Sequence, residues 1–250
     1  MTEPIKHQGW RWDEVKDRKH WEIPDGYVMN LIYELGPDPE KKVYDLGCGI
    51  GRHTIYFASH GYQVYASDIS QDSIDSTREW LQRENLTAEL KQGHFLDVDY
   101  PENFFDLVIS MNVLNHGVKS EVYQIMQKVL KMLKPGGIFR GTIRIKDKNT
   151  PFYSNDIKII DEQTLMMTKG EERGIPHFFA YLEEVPDMFK GFEMGYGAFV
   201  FVKIFTSPFT AENLTTQLGI EGLRFSLSKP SLEKDIKSVQ NDRNFLRAQL

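Results

Sequence analysis

Between residues 42 and 145, short apolar runs alternate with stretches whose apolar side chains recur at helical spacing. KVYDL (42–46) is a strand-like run that ends at glycines. RHTIYFASHG (52–61) has the length of a helix, and Gly61 closes it. QVYASD (63–68) reads as a second strand. A helix from about Asp72 follows, with Ile74, Trp80 and Leu81 as its buried contacts, and AELKQG (88–93) reads as a third strand. FFDLVISM (104–111) is apolar throughout, as expected of a strand buried on both faces. EVYQIMQKVLKML (121–133) places Val122, Ile125, Val129 and Met132 on one helical face, and Pro135-Gly136-Gly137 stops that helix before a fifth strand, GIFRGTIRI. Such alternation predicts an α/β fold with a doubly wound, mostly parallel sheet and helices on both faces.

Beyond residue 145 the pattern weakens. Residues 146–176 show no periodic segment and predict a long loop or insertion over the sheet edge. HFFAYLEEVPDMFKG (177–191) reads as a helix that Pro186 kinks or divides. GAFVFVKIF (197–205) and LRFSLSK (223–229) are the remaining strands. From Ser231 the tail carries Leu232, Ile236, Val239, Leu246 and Leu250 at helical steps, which predicts a helix packed on its own domain or the seam of a homodimer. With no repeat in view, residues 1–250 read as one domain: an N-terminal helical lid (1–40), a core (41–145), a loop with terminal strands (146–230) and a C-terminal helix (231–250).

Composition narrows the partners. The chain has 250 residues, 40% of them hydrophobic, enough for one substantial core. A formal charge of −6 gives no overall positive field for a phosphate backbone, so no nucleic acid is expected. Cys48 is the single cysteine, which leaves no intrachain disulfide and no cysteine-based metal cluster. The N-terminus lacks an apolar signal region, and GAFVFVKIF is too short to span a bilayer, so the expectation is a cytoplasmic protein with no membrane partner. The seven histidines are scattered without a paired motif, and no metal is predicted.

The first strand ends in YDLGCGIGRH (44–53), where Gly47, Gly49 and Gly51 alternate. Glycines at the first strand-to-helix turn of a parallel sheet bring bare backbone amides close to a ligand. A dinucleotide turn, G-x-G-x-x-G, would require glycine at position 52, which is Arg52. The second strand ends in Asp68, about twenty residues on, where a carboxylate can grip ribose hydroxyls.

VYDLGCGIGRHTIYFASHGYQVYASDIS resembles the first two motifs of class I S-adenosylmethionine-dependent methyltransferases. The resemblance continues through FFDLVISMNVLNH and LKMLKPGGIF and covers roughly residues 40 to 145. It implies a Rossmann-like, seven-stranded sheet whose last strand is antiparallel, and S-adenosyl-L-methionine as cofactor. It also implies that Asp45 and the backbone of Gly47, Cys48, Gly49 and Gly51 hold the methionine end. Asp68 would bind the ribose, Ile69 would lie against the adenine, and Met111 would line the pocket. The chain departs from the family at Gly93-His94, where an aspartate often follows the glycine. Asp97 or the backbone of Phe95, beside His94, would then meet the adenine amino group.

The cofactor's sulfonium is already activated, so the protein mainly aligns an acceptor and excludes water. A base matters only for acceptors that must lose a proton. SMNVLNH stands where amide and exocyclic-amine methylases of this family carry Asn/Asp-Pro-Pro-aromatic, which argues against such acceptors. His116 and His177 are the candidate bases, each with a structural alternative as a packing or capping residue. Arg140, Arg144, Lys146 and Lys148 alternate along and beyond the fifth strand, either as a row for an anionic substrate or as a solvated strand end. Trp10, Trp12 and Trp21 crowd into the first 21 residues and, with Tyr27, form either a lid over the pocket or a helix packed by its tryptophans. The expectation is methyl transfer to a small-molecule substrate. The alternatives are a non-catalytic binder of the cofactor or its demethylated product, and a protein methyltransferase.

Overall fold

The computed structural model describes residues 7–200 and 223–229. A 3₁₀ turn (Arg18–Glu22) precedes two short helices, α1 (Gly26–Met29) and α2 (Leu31–Leu35). The alternating series follows: β1 (Lys42–Leu46), α3 (Arg52–Ser59), β2 (Gln63–Asp68), α4 (Gln71–Arg83), β3 (Glu89–Gln92), β4 (Phe105–Ser110), α5 (Lys119–Met132) and β5 (Leu133–Ile143). Next come β6 (Ile157–Ile159), β7 (Thr164–Met167), β8 (Pro176–Phe178), a 3₁₀ turn (Leu182–Glu184), α6 (Val185–Met188), β9 (Glu193–Val200) and β10 (Leu223–Ser228).

The main sheet has the order β3-β2-β1-β4-β5-β10-β9. β1 to β5 are parallel, and β10 runs antiparallel to both β5 and β9. The winding therefore reverses between β1 and β4, at the place where such sheets bind ligands. Period-two alternation sends β1 residues to two cores. Tyr44 joins Phe105, Val108, Phe139 and Phe225 against Val122, Ile125 and Val129 of α5 and Met188 of α6. Val43 joins Val64, Leu107 and Ile109 against Val28, Leu31 and Leu35 of the two short helices and Phe57 of α3.

Two expectations need correction. Residues 146–176 are not a bare loop, because β6, β7 and β8 form a separate antiparallel sheet in that order. Residues 177–191 do not form one helix: His177 lies in β8, and α6 has four residues with Pro186 at its start, where a missing amide costs no hydrogen bond. The small sheet rests on a local cluster of Phe152, Leu165 and Phe179. The N-terminal segment is also less helical than expected, since residues 7–17 form no helix. The helix or dimer seam at 231–250 lies outside the described residues.

The sheet is tightest at Gly141, which pairs with Ser110 on one side and Phe225 on the other. A Cβ there would lie 2.5 Å from the Ser110 carbonyl oxygen and 2.8 Å from the Phe225 ring. Gly141→Ala should lower stability by about 1–3 kcal/mol, the usual cost of overpacking. Urea unfolding checks it, and an unchanged midpoint would show that β10 moves aside freely.

Candidate functional site

The chain leaves β1 at Leu46 and turns through Gly47–Gly51 into α3. Gly47 and Gly49 are left-handed, with φ of 75° and 55°, and both are closely approached. A side chain on Gly47 would run into Val113, which follows β4, and a Cβ on Gly49 would lie 2.9 Å from the Trp12 indole. The turn's amides are used within the protein. Gly47 and Cys48 donate to the Ser67 carbonyl (2.8 and 2.9 Å), Gly51 donates to the Cys48 carbonyl (3.0 Å), and Gly49 donates to Asp68 Oδ2 (2.9 Å). This corrects the expectation of bare amides: the glycines serve close packing and anchor the carboxylate at the tip of β2.

Asp68 Oδ1 accepts from the Ser70 amide at 2.9 Å. Each carboxylate oxygen thus keeps acceptor capacity. Burial pushes this carboxyl above its ordinary value, opposed by the Ser70 and Gly49 amides. Asp68 faces a cavity of about 450 Å³ that Gly47, Cys48, Gly49 and Ile69 also line. His94 and Phe95 border it after β3, and Met111 and Val113 border it after β4.

Asp45, Gly51, Asp97, Tyr27 and His177 do not line this cavity. Asp45 is 1% exposed and accepts from Thr54 Oγ1 at 2.7 Å, so it ties β1 to α3. Burial pushes its carboxyl up to about 6. The Asp97 amide closes a turn on the His94 carbonyl (2.8 Å). Tyr27 is not part of a lid: its ring lies 4.6 Å from the Arg140 guanidinium and 5.4 Å from that of Arg224.

The basic row does not persist as one surface, because β5 ends at Ile143. Arg140 is buried against Glu34 (2.8 Å) and Ser226 (2.9 Å). Lys146 donates to the Glu162 carbonyl (3.0 Å), and Lys148 lies 3.7 Å from Glu183. Of the four, Arg144 alone lines the cavity.

Trp10, Trp12 and Trp21 meet edge to face with ring centroids 4.7 to 5.9 Å apart, and all three line the cavity. Trp12 Nε1 donates to Ser73 Oγ at 2.9 Å, pinning the cluster to α4. The same segment is fastened to the loop before β8. Gln8 Nε2 and Arg11 Nη1 donate to the Arg173 carbonyl (2.6 and 2.9 Å), and Glu14 pairs with the Arg173 guanidinium (2.5 Å).

The far end of the cavity holds a residue that the sequence did not single out. Glu172 places Oε2 3.3 Å from His177 Nε2 and Oε1 3.6 Å from His116 Nε2, with Arg144 Nη2 at 4.0 Å. The two imidazole rings are perpendicular at 4.9 Å. Burial opposes the Glu172 charge, but the two histidines and Arg144 outweigh it and hold the carboxyl well below its usual range. Burial drives His177 down to about 4 against the pull of Glu172. His116 and Glu172 line the cavity, while His177 is fully buried behind them. The only sequence signal for Glu172 was an acid near His177, in a stretch with no periodicity.

Residues 43–137 match the family described as a methyltransferase domain. Over that segment the chain carries a methyltransferase domain similar to those of class I S-adenosylmethionine-dependent methyltransferases. A sterol 24-C-methyltransferase of Gibberella zeae is 32% identical over 114 residues, which are 44% of this chain and 29% of that protein. The chain thus spans less than a third of the length of that relative. Among solved structures, a SAM-dependent methyltransferase from Methanosarcina mazei is similar with a TM-score of 0.63 and 19% identity, over 80% of this chain and 97% of that one. A Burkholderia thailandensis 1,6-didemethyltoxoflavin N1-methyltransferase, solved with its acceptor and S-adenosylhomocysteine, is similar with a TM-score of 0.58 and 18% identity, over 88% and 84%. The site of this methyltransferase-fold chain fits S-adenosyl-L-methionine, the superfamily's cofactor. Asp68 has free lone pairs at the cavity wall, Ile69 offers an apolar surface beside it, and the Trp10 Nε1 atom is buried without a partner.

Two consequences can be measured. Asp68→Ala should weaken S-adenosylhomocysteine binding by about 2 kcal/mol, as for loss of charge-assisted hydrogen bonds; calorimetric titration of a folded variant with unchanged affinity would remove Asp68 from the site. Asp45 has a folded pKa above its unfolded value, so its contribution is full below about 3.8 and is lost as pH rises through about 6. Asp45→Asn should therefore gain stability relative to the wild type between pH 4 and pH 7, by on the order of 2–3 kcal/mol. Denaturant curves at the two pH values report it, and a pH-independent difference would mean that the carboxyl is not raised.

Proposed function

We propose that this chain transfers a methyl group from S-adenosyl-L-methionine to a small-molecule acceptor held between the tryptophan cluster and the loop before β8. The observation that carries this reading is the closure of the cavity: the N-terminal segment roofs it with three indoles and is fastened to that loop by Gln8, Arg11, Glu14 and Arg173. A roof tied down on both sides favours an acceptor that enters whole over a polypeptide threaded through a groove. The cofactor, when bound, supplies an electrophilic methyl group. Gly49 and Asp68 position the ribose end, and the indoles exclude water from the transfer. His116, Arg144, Ile175 and Pro176 line the opposite end, where the acceptor would contact one cationic group and an apolar wall. The toxoflavin enzyme acts on a small heterocycle, which supports the same class of acceptor here. His177, enclosed behind Glu172, positions that residue and does not touch the acceptor.

The test is formation of S-adenosylhomocysteine by the full chain over a panel of thiols, phenols, amines and nitrogen heterocycles, with a protein mixture in parallel. Acceptor-dependent product that falls at least tenfold in Asp68→Ala is the expected result. Tight binding of both cofactor forms with no turnover on any acceptor would replace this reading by a non-catalytic binder. Label transferred to polypeptide alone would replace it by a protein methyltransferase.

A further inference from the structure

The Glu172 cluster leaves two buried ring nitrogens without a hydrogen-bond partner. His177 Nδ1 lies 3.0 Å from the Ile175 carbonyl oxygen, which can only accept, so Nδ1 carries the proton. In a neutral ring Nε2 then bears a lone pair, and that lone pair faces a carboxylate oxygen at 3.3 Å. His116 Nε2 faces the other carboxylate oxygen at 3.6 Å, beyond hydrogen-bond length. Both Nε2 atoms are buried without a hydrogen-bond partner. A cation between the His177 lone pair and the carboxylate, a proton or a metal ion, satisfies both.

The spacing identifies the kind of cation. The ligand atoms of His116, Glu172 and His177 all lie within 4.8 Å of one another. Nitrogen and oxygen ligands at about 2.0–2.1 Å from a tetrahedral metal are roughly 3.3 Å apart, close to the 3.3 Å between His177 Nε2 and Glu172 Oε2, while His116 Nε2 lies 3.6 Å from the other oxygen. Two imidazoles and one carboxylate suit a divalent first-row transition ion. The Ile175 carbonyl fixes the His177 tautomer as an outer partner of a metal ligand would. Among the described residues Arg144 also faces the carboxylate, with Nη2 4.0 Å from Glu172 Oε1. The second His/Glu group among the described residues, His7, His94 and Glu121, differs: His7 Nε2 already meets Glu121 at 2.7 Å, and a proton satisfies that pair.

We propose that His116, Glu172 and His177 form a binding site for a divalent transition-metal ion at the acceptor end of the cavity, with coordination positions open to a hydroxyl, thiol or carboxylate of the bound small molecule. His116 and Glu172 line the cavity, so the open side of the ion faces the space where an acceptor would lie. The proposal departs from the expectation of no metal, which rested on sequence spacing alone.

The experiment uses the full chain stripped with chelator and titrated with cobalt(II), followed by visible absorption and calorimetry. One equivalent should bind, with ligand-field bands characteristic of nitrogen and oxygen donors, and zinc(II) should displace it. His116→Ala and Glu172→Gln should each weaken binding at least about tenfold while still binding S-adenosylhomocysteine, and His94→Ala should bind cobalt as the wild type does. If Glu172→Gln fails to fold, His116→Ala at the partly exposed cavity wall decides. Absence of stoichiometric binding at millimolar cobalt, affinity unchanged in His116→Ala, or loss of binding in His94→Ala would each overturn the site. In the first case, histidine NMR would show an imidazolium proton in its place.

Discussion

The site depends on how closely the backbone can be approached at the first turn after β1. Gly47 admits Val113 from the segment after β4, and Gly49 admits the Trp12 indole from the N-terminal segment. The same turn hands the Gly49 amide to Asp68. Three parts of the chain that are distant in sequence therefore converge on one loop, and two of them, Val113 and Trp12, would each be displaced by a single Cβ. The glycines are often read as a means of freeing amides for a ligand. Here the amides of Gly47, Cys48, Gly49 and Gly51 are all committed to the protein, and the polar function passes to the carboxylate they help to anchor.

Burial at this point also sets the electrostatics. Asp45 and Asp68 lie at the ends of adjacent strands, and burial raises both carboxyls, with Asp68 adding to the rise of Asp45. Thr54 holds Asp45, and two amides hold Asp68. Asp68 alone of the two lines the cavity, so its carboxylate, costly to bury in the empty fold, is the one a cationic ligand would meet.

The core was legible because its elements are long enough to show their period. β4 is apolar at all positions but Asp106 and Ser110 and α5 repeats its apolar face across 14 residues, so each declares its type without knowledge of its neighbours. β6 and β8 have three residues each, too few for alternation to stand out, and they exist because β7 lies between them. Position relative to the cavity was legible only where the switch point fixes it. Asp68, Ile69 and Met111 line the cavity as expected, whereas Tyr27 was drawn away by Arg140 and Arg224. Glu172 had no local signature, since its significance comes from two histidines brought to it by different elements.

The division between shared and particular chemistry follows the same line. Residues 43–137 carry the family match and supply the turn, Asp68 and the walls beside it. Trp10, Trp12 and Trp21 precede that span, and Arg144, Glu172 and His177 follow it. The Gln8, Arg11 and Glu14 contacts to Arg173 tie these two outlying parts to each other across the cavity. A ligand at the far end would meet side chains whose positions depend on that tie, because Glu172 is the immediate neighbour of Arg173. Closing the roof and setting the Glu172 carboxylate between its histidines are therefore parts of one packing event.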